Sequence, residues 1–192
     1  MIAMVKNSKK WMGHTVLGTM LLALLIVSCS NPYQKEISTV TKLQQDVEEC
    51  EQLLEGLDAV QVREMIDEYG KVMAVIKEKY IADSTVDQRF GRMANLYKGV
   101  KRSRGFEAGK ENLLKEIAFT KTQLENLRDD LENEDITNSD TAALYLEMET
   151  TSVNEIKIVA EKLHSNFETL MSVQDTVYPY MQSIVDSLNK IR

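Results

Sequence analysis

YQKEISTVTKLQQDVEECEQLLEGL, residues 33–57, places its apolar side chains at Tyr33, Ile37, Val40, Leu43, Val47, Cys50, Leu54 and Leu57. Every step is three or four residues, the period of an amphipathic helix or a coiled coil. The stripe has a marked start. Asn31 is placed to act as N-cap, Pro32 fits the first helical position and Gln34 stands where a capping box needs it. The stripe resumes at Val62, Ile66, Tyr69, Met73, Ile76 and Tyr80. Its phase slips between Leu57 and Val62, just after Gly56, which predicts a kink, a stutter or a short break.

The rest of the chain repeats this plan twice. Asp83-Ser84-Thr85 reads as a turn, with Ser84 and Asp87 placed as a capping pair. A second stripe runs Val86, Phe90, Met93, Tyr97 and Val100, falters, and recovers at Leu113, Ile117, Leu124, Leu127 and Leu131. Asp135 to Asp140 forms a second turn. A third stripe includes Leu144, Met148, Ile156, Val159, Leu163, Phe167, Leu170, Val177, Met181, Ile184, Leu188 and Ile191. Pro179 interrupts it and predicts a bend or a split. With two prolines in 192 residues and abundant Leu, Glu, Lys and Met, the composition favours helix throughout. The predicted fold is all-α: an elongated up-down-up antiparallel three-helix bundle or coiled coil, with helices at about 32–81, 85–134 and 140–191. Each rod would be about 70–80 Å long at 1.5 Å per residue.

The N-terminus has a different character. Lys6, Lys9 and Lys10 precede an uncharged run from Thr15 to Val27 that is too short to span a bilayer stably. The run ends Ile26-Val27-Ser28-Cys29. A cysteine directly after a small residue at this place resembles the lipobox of bacterial lipoproteins. The resemblance covers residues 1–29 only. It implies a signal peptide over 1–28, lipidation of Cys29, and one membrane-tethered domain over 29–192. It also implies a bacterial envelope location. Ser30, rather than Asp, follows the cysteine, and residues 30–34 carry no acidic run, so the family's sorting habits point to the periplasmic face of the outer membrane. Two or three acyl chains would hold the protein firmly, where one holds it reversibly. An ordinary cleaved signal or an uncleaved anchor is the alternative.

The full chain carries a formal net charge of −7. Loss of Lys6, Lys9 and Lys10 with the signal would take it to −10. That balance argues against nucleic acid as a partner. Cys50 would have no partner for an internal disulfide, and its place on the first stripe predicts a buried small hydrophobe; an intermolecular disulfide is the alternative. His164 would be the single histidine of the mature domain, too few for a zinc site. The acidic residues Asp129, Asp130, Glu132, Glu134, Asp135 and Asp140 gather at one tip without the spacing or glycine of an EF-hand. No phosphate-binding glycine loop, nucleophile elbow or Cys/His pair occurs, and a narrow rod offers little concavity. No enzymatic activity, cofactor or metal is expected.

Two features remain. Gly56, the faltering segment with Ser103, Gly105 and Gly109, and residues 162–166 with His164 fall at one predicted height. Close packing around a kink explains this; a small polar pocket or hinge is the sharper reading. From Arg89 to Lys110, seven basic residues stand against Glu107 alone. Either they pair with Glu64, Asp67 and Glu68 on the first helix, or Lys98, Lys101, Arg102, Arg104, Phe106 and Lys110 form an interaction surface. The expected function is a structural or adaptor lipoprotein whose long faces dock an envelope protein or self-associate. The alternative is recognition of an anionic envelope polymer or lipid by residues 89–110. Wall-linked lipoproteins attach a C-terminal lysine; this chain ends Lys190-Ile191-Arg192, so that chemistry is not carried over.

Overall fold

A computed structural model describes residues 31–79 and 88–190. Cys29, the predicted turn at Asp83–Thr85 with its Ser84–Asp87 capping pair, and the last two residues lie outside them. Among the described residues the chain is all-helical: α1 (Gln34–Glu55), α2 (Ala59–Lys79), α3 (Gln88–Arg102), a 3-10 turn (Ser103–Gly105), α4 (Phe106–Glu132), α5 (Ser139–Thr176) and α6 (Tyr178–Lys190). None of these helices is long and apolar enough to cross a membrane.

Cross-helix bonds give the directions. Lys121 on α4 binds both Glu48, at 2.5 Å, and Glu51 on α1. Nearer the other end of α4, Lys110 Nζ donates to the Leu57 carbonyl at 2.6 Å. Arg63 on α2 then meets Glu107 at 2.9 Å. As the number rises on one side it falls on the other, so α1–α2 and α4 are antiparallel. Asp46 pairs with Lys157, Tyr69 with Val173 and Lys79 with Asn189, so α5–α6 runs parallel to α1–α2.

The core runs the length of this bundle. Val40, Val47, Leu54, Ile117, Leu124, Leu131, Val153 and Ile156 fill the half built by α1, α4 and α5. Tyr69, Met73, Ile76, Met93 and Met181 fill the half built by α2, α3 and α6. Cys50 is buried among them, and burial pushes its thiol pKa up. Three residues expected in the core are not there: Leu144, Met148 and Val159 face outward at 54%, 57% and 43% exposure. The cause is Ala142 and Ala160, which are buried with Val153 and Ile156. These small side chains let α5 approach its neighbours on a face that a count of large apolar residues overlooks.

Each phase slip has a physical form. Leu57 N–H bonds to Leu54 O at 3.0 Å, closing the end of α1, and Asp58 Oδ1 accepts from Gln61 N at 2.9 Å to start α2. The slip after Gly56 is therefore a short break restarted by an aspartate cap. Gly56 itself sits at φ −67°, so the break does not depend on glycine's conformational freedom. In the third segment the break falls at Val177, two residues before the expected Pro179. Pro179 lies in the first turn of α6, where its missing N–H costs little.

One end is tied down with polar bonds. Asn31 Oδ1 accepts from Tyr33 N at 2.7 Å, an Asx turn rather than the expected cap and capping box on the first helical residues. Its Nδ2 donates to Leu131 O at 2.9 Å and Glu132 O at 3.1 Å, among the last carbonyls of α4, which lack a following turn of helix to satisfy them fully. The buried Tyr33 donates its hydroxyl to Ile136 O at 2.7 Å. Beneath them α4 closes in a Schellman motif: Asp135 N bonds to Asp130 O and Glu134 N to Leu131 O, with Glu134 at φ +58°. Asn138 caps α5 by accepting from Asp140 N at 2.8 Å.

Candidate functional site

The 3-10 turn Ser103–Gly105 lets the chain shift phase between α3 and α4, and a groove opens on each side of it. Ser103, 8% exposed, lines both. The first groove, about 380 Å³, faces α2. It holds Arg63 and Arg104 with Asp67 and Glu107, so its charges balance, and Arg63 and Glu107 are in direct contact. The second groove, about 680 Å³, faces α5. Arg102 and Lys162 supply its charge and no carboxylate lines it. Ser165, Asn166 and Thr169 supply hydroxyl and amide groups; Val159 and Leu163 supply the apolar wall.

Glycine makes the second groove possible. A Cβ on Gly99 would meet nothing within 4 Å, and one on Gly109 would reach Leu163 Cδ2 at 3.8 Å. The predicted common height of Gly109 and residues 162–166 is seen in this groove, and the Lys110–Leu57 bond sets the end of α1 at the same level. His164 points elsewhere, towards Glu168 one turn on, at 3.8 Å.

The basic segment divides. Lys98, Lys101, Arg102 and Arg104 are exposed. Phe106 is not: at 3% exposure it packs on Phe167, ring centroids 6.1 Å apart, and belongs to the core. Its aromatic ring is thus removed from the expected interaction surface. Lys110 is spent on the Leu57 carbonyl, a C-cap for α1. Among the described residues no ion pair joins Glu64, Asp67 or Glu68 to Lys98, Lys101, Arg102, Arg104 or Lys110. The pair that forms between these segments has the opposite polarity, Arg63 with Glu107. The expected pairing with Glu64, Asp67 and Glu68 is therefore absent at these five residues; the side chains of Arg89 and Arg92 lie outside the described ones.

Among the described residues no cluster of three His, Cys, Asp or Glu side chains is arranged to hold a metal ion. No protein family matches the chain, no curated protein is similar to it in sequence, and no solved structure matches its fold.

Proposed function

We propose that this chain is a lipid-anchored, non-enzymatic adaptor of the bacterial cell envelope, held on the periplasmic face of the outer membrane by acylated Cys29. Its helices act as three rods of an elongated up-down-up bundle, each rod carrying one break. The observation that supports this reading is the clamp made by Asn31 and Tyr33. Cys29 is two residues from Asn31, so an acylated Cys29 holds the clamped end of the bundle against the lipid. Glu107 pairs with Arg63, thirty residues beyond Tyr33, which is about 45 Å at 1.5 Å per residue, and the exposed basic residues precede Glu107 on the antiparallel segment, so they stand about 50–60 Å above the anchor. Screening acts over roughly 10 Å at 0.1 M salt, so the anchoring bilayer is out of their electrostatic reach. Lys98, Lys101, Arg102 and Arg104 then serve a partner in the space above the membrane.

Two experiments test this. In the first, Cys29→Ala abolishes incorporation of labelled palmitate and releases the protein from membranes; survival of both sinks the anchor. In the second, Lys98, Lys101 and Arg104 are changed together to Gln. Recovery of partners from detergent-solubilised envelope falls while the melting temperature stays within a few degrees. Unchanged recovery removes the basic face from the reading.

A further inference from the structure

We infer that the groove between the Gly99–Gly109 segment and α5 is a binding trough for an anionic glycan, a polysaccharide carrying carboxylate or phosphate on its repeating units. The inference rests on the envelope reading for the natural source of such a polymer and for setting the anchoring lipid aside. The first argument is charge. The chain holds 30 acidic residues against 23 basic ones, yet this groove is lined by Arg102 and Lys162 with no acid. The groove on the other side of Ser103 balances its two arginines with Asp67 and Glu107, so the lack of compensation is local to one face. Two uncompensated cations facing one trough favour an anion there.

The second argument is the lining. A sugar ring alternates hydroxyl edges with C–H faces. Ser165 and Asn166 present donors and acceptors beside the apolar side chains of Val159 and Leu163. Thr169 Oγ1 already donates to Ser165 O at 2.9 Å, which leaves its lone pairs to accept from a ligand hydroxyl. An acidic peptide would call for a deep apolar pocket to hold an anchoring side chain, and the nearby aromatics Phe106 and Phe167 are packed on each other, Phe106 within the core. A lipid headgroup of the anchoring membrane is excluded by height, as above. The third argument is space: nothing lies within 4 Å of a Cβ on Gly99, so the trough is open where α3 would otherwise fill it.

The test uses the full chain purified in detergent, so it can be run whether or not Cys29 carries a lipid. The probes are polygalacturonate and phosphorylated dextran, with neutral dextran, poly-glutamate and phosphatidylglycerol vesicles as the competing chemistries. Saturable binding is expected to one or both anionic glycans and at least tenfold weaker binding to the other three. The double change Arg102→Gln with Lys162→Gln should lower glycan affinity by tenfold or more. Gly99→Leu, which fills the trough and replaces a helical glycine, should do the same without lowering the melting temperature. Asn166→Asp, which sets a carboxylate in the trough, is the second blocking variant should Gly99→Leu misfold. Binding of neither anionic glycan overturns the inference. So does equal binding of poly-glutamate or vesicles, or affinity unchanged in all the folded variants.

Discussion

The half of the bundle near Tyr33 and the half beyond Gly56 hold themselves together differently. In the first, α1 packs between the long helices α4 and α5. Its core is aliphatic apart from Cys50 and Thr120; its side-chain bonds to backbone groups gather at the end, at Asn31, Tyr33 and Asn138, and the ion pairs of Lys121 and Lys157 run along its flanks. In the second, two of the helices, α3 and α6, are 15 and 13 residues long, and a polar group sits in the middle of the core. Tyr69 is fully buried, its hydroxyl donates to Val173 O at 2.9 Å and its ring lies 5.3 Å from that of Tyr178. Val173 O also accepts from Val177 N at 2.9 Å, so this hydroxyl adds a second bond at the last turn of α5. Aliphatic packing can thus carry long helices, whereas a half assembled from short pieces needs a buried hydrogen bond to fix them.

The strongest way to break this contrast is Leu124→Asp. It buries an unpaired charge in the aliphatic half and should cost about 3–5 kcal/mol, unfolding α1, α4 and α5 by circular dichroism; a loss under 1 kcal/mol would show that half to be loosely packed. Tyr69→Phe is the matching test of the other half, with an expected loss of roughly 1–2 kcal/mol at neutral pH because Val173 O loses a partner. It has a pH signature. Burial, and then Tyr178, raise the Tyr69 pKa to about 12 from its ordinary 10. The folded state holds the proton longer than the unfolded state, so this stability is fully present below pH 10 and falls as pH rises towards 12. The Phe variant should lack that share of the alkaline loss in chemical denaturation.

Smaller effects sharpen the picture at the clamped end. Tyr33→Phe should cost about 1 kcal/mol and speed hydrogen exchange around Ile136 while leaving that around Tyr69 unchanged. Glu149 on α5 has its pKa raised by burial. A carboxyl with a raised folded pKa destabilises as pH rises from its ordinary 4.5 through the folded value. Glu149→Gln should therefore raise the melting temperature slightly at pH 7, with the advantage shrinking as pH falls through that window. Glu134→Gly should be the mildest change. It relieves a non-glycine residue at φ +58° and should stabilise by a few tenths of a kcal/mol up to about 1.

Periodicity made the helices legible. Tyr33, Val40, Leu43, Val47, Cys50 and Leu54 are all buried as their spacing indicates, and the slip after Gly56 is a real break. The third segment is less legible because its inner face is partly alanine: Ala142 and Ala160 are buried but too small to mark the stripe, whereas the large Leu144, Met148 and Val159 face outward. The signal available was the pairing of these alanines with Val153 and Ile156 at helical spacing. At the grooves, the seven basic residues marked the right segment. The sequence had no means of showing that Phe106 turns inward to Phe167, that Lys110 reaches across to Leu57, or that Lys162 joins Arg102 from another helix. Those facts depend on how far the 3-10 turn rotates the chain.

The three breaks lie at different heights. The first is at Gly56–Asp58. The Lys110–Leu57 and Arg63–Glu107 bonds set Ser103–Gly105 about one to two turns higher, and the Tyr69–Val173 bond sets Val177 higher again. No transverse plane cuts more than one of them. Each joint is flanked by two unbroken helices, as a mason staggers the seams between courses so that no crack runs through the wall. The bundle should therefore resist bending as one beam although its helices are interrupted, and deleting residues 56–58 should shift register without adding stiffness. A sideways pull on one end of the bundle would then be carried to the other end instead of folding it at a joint.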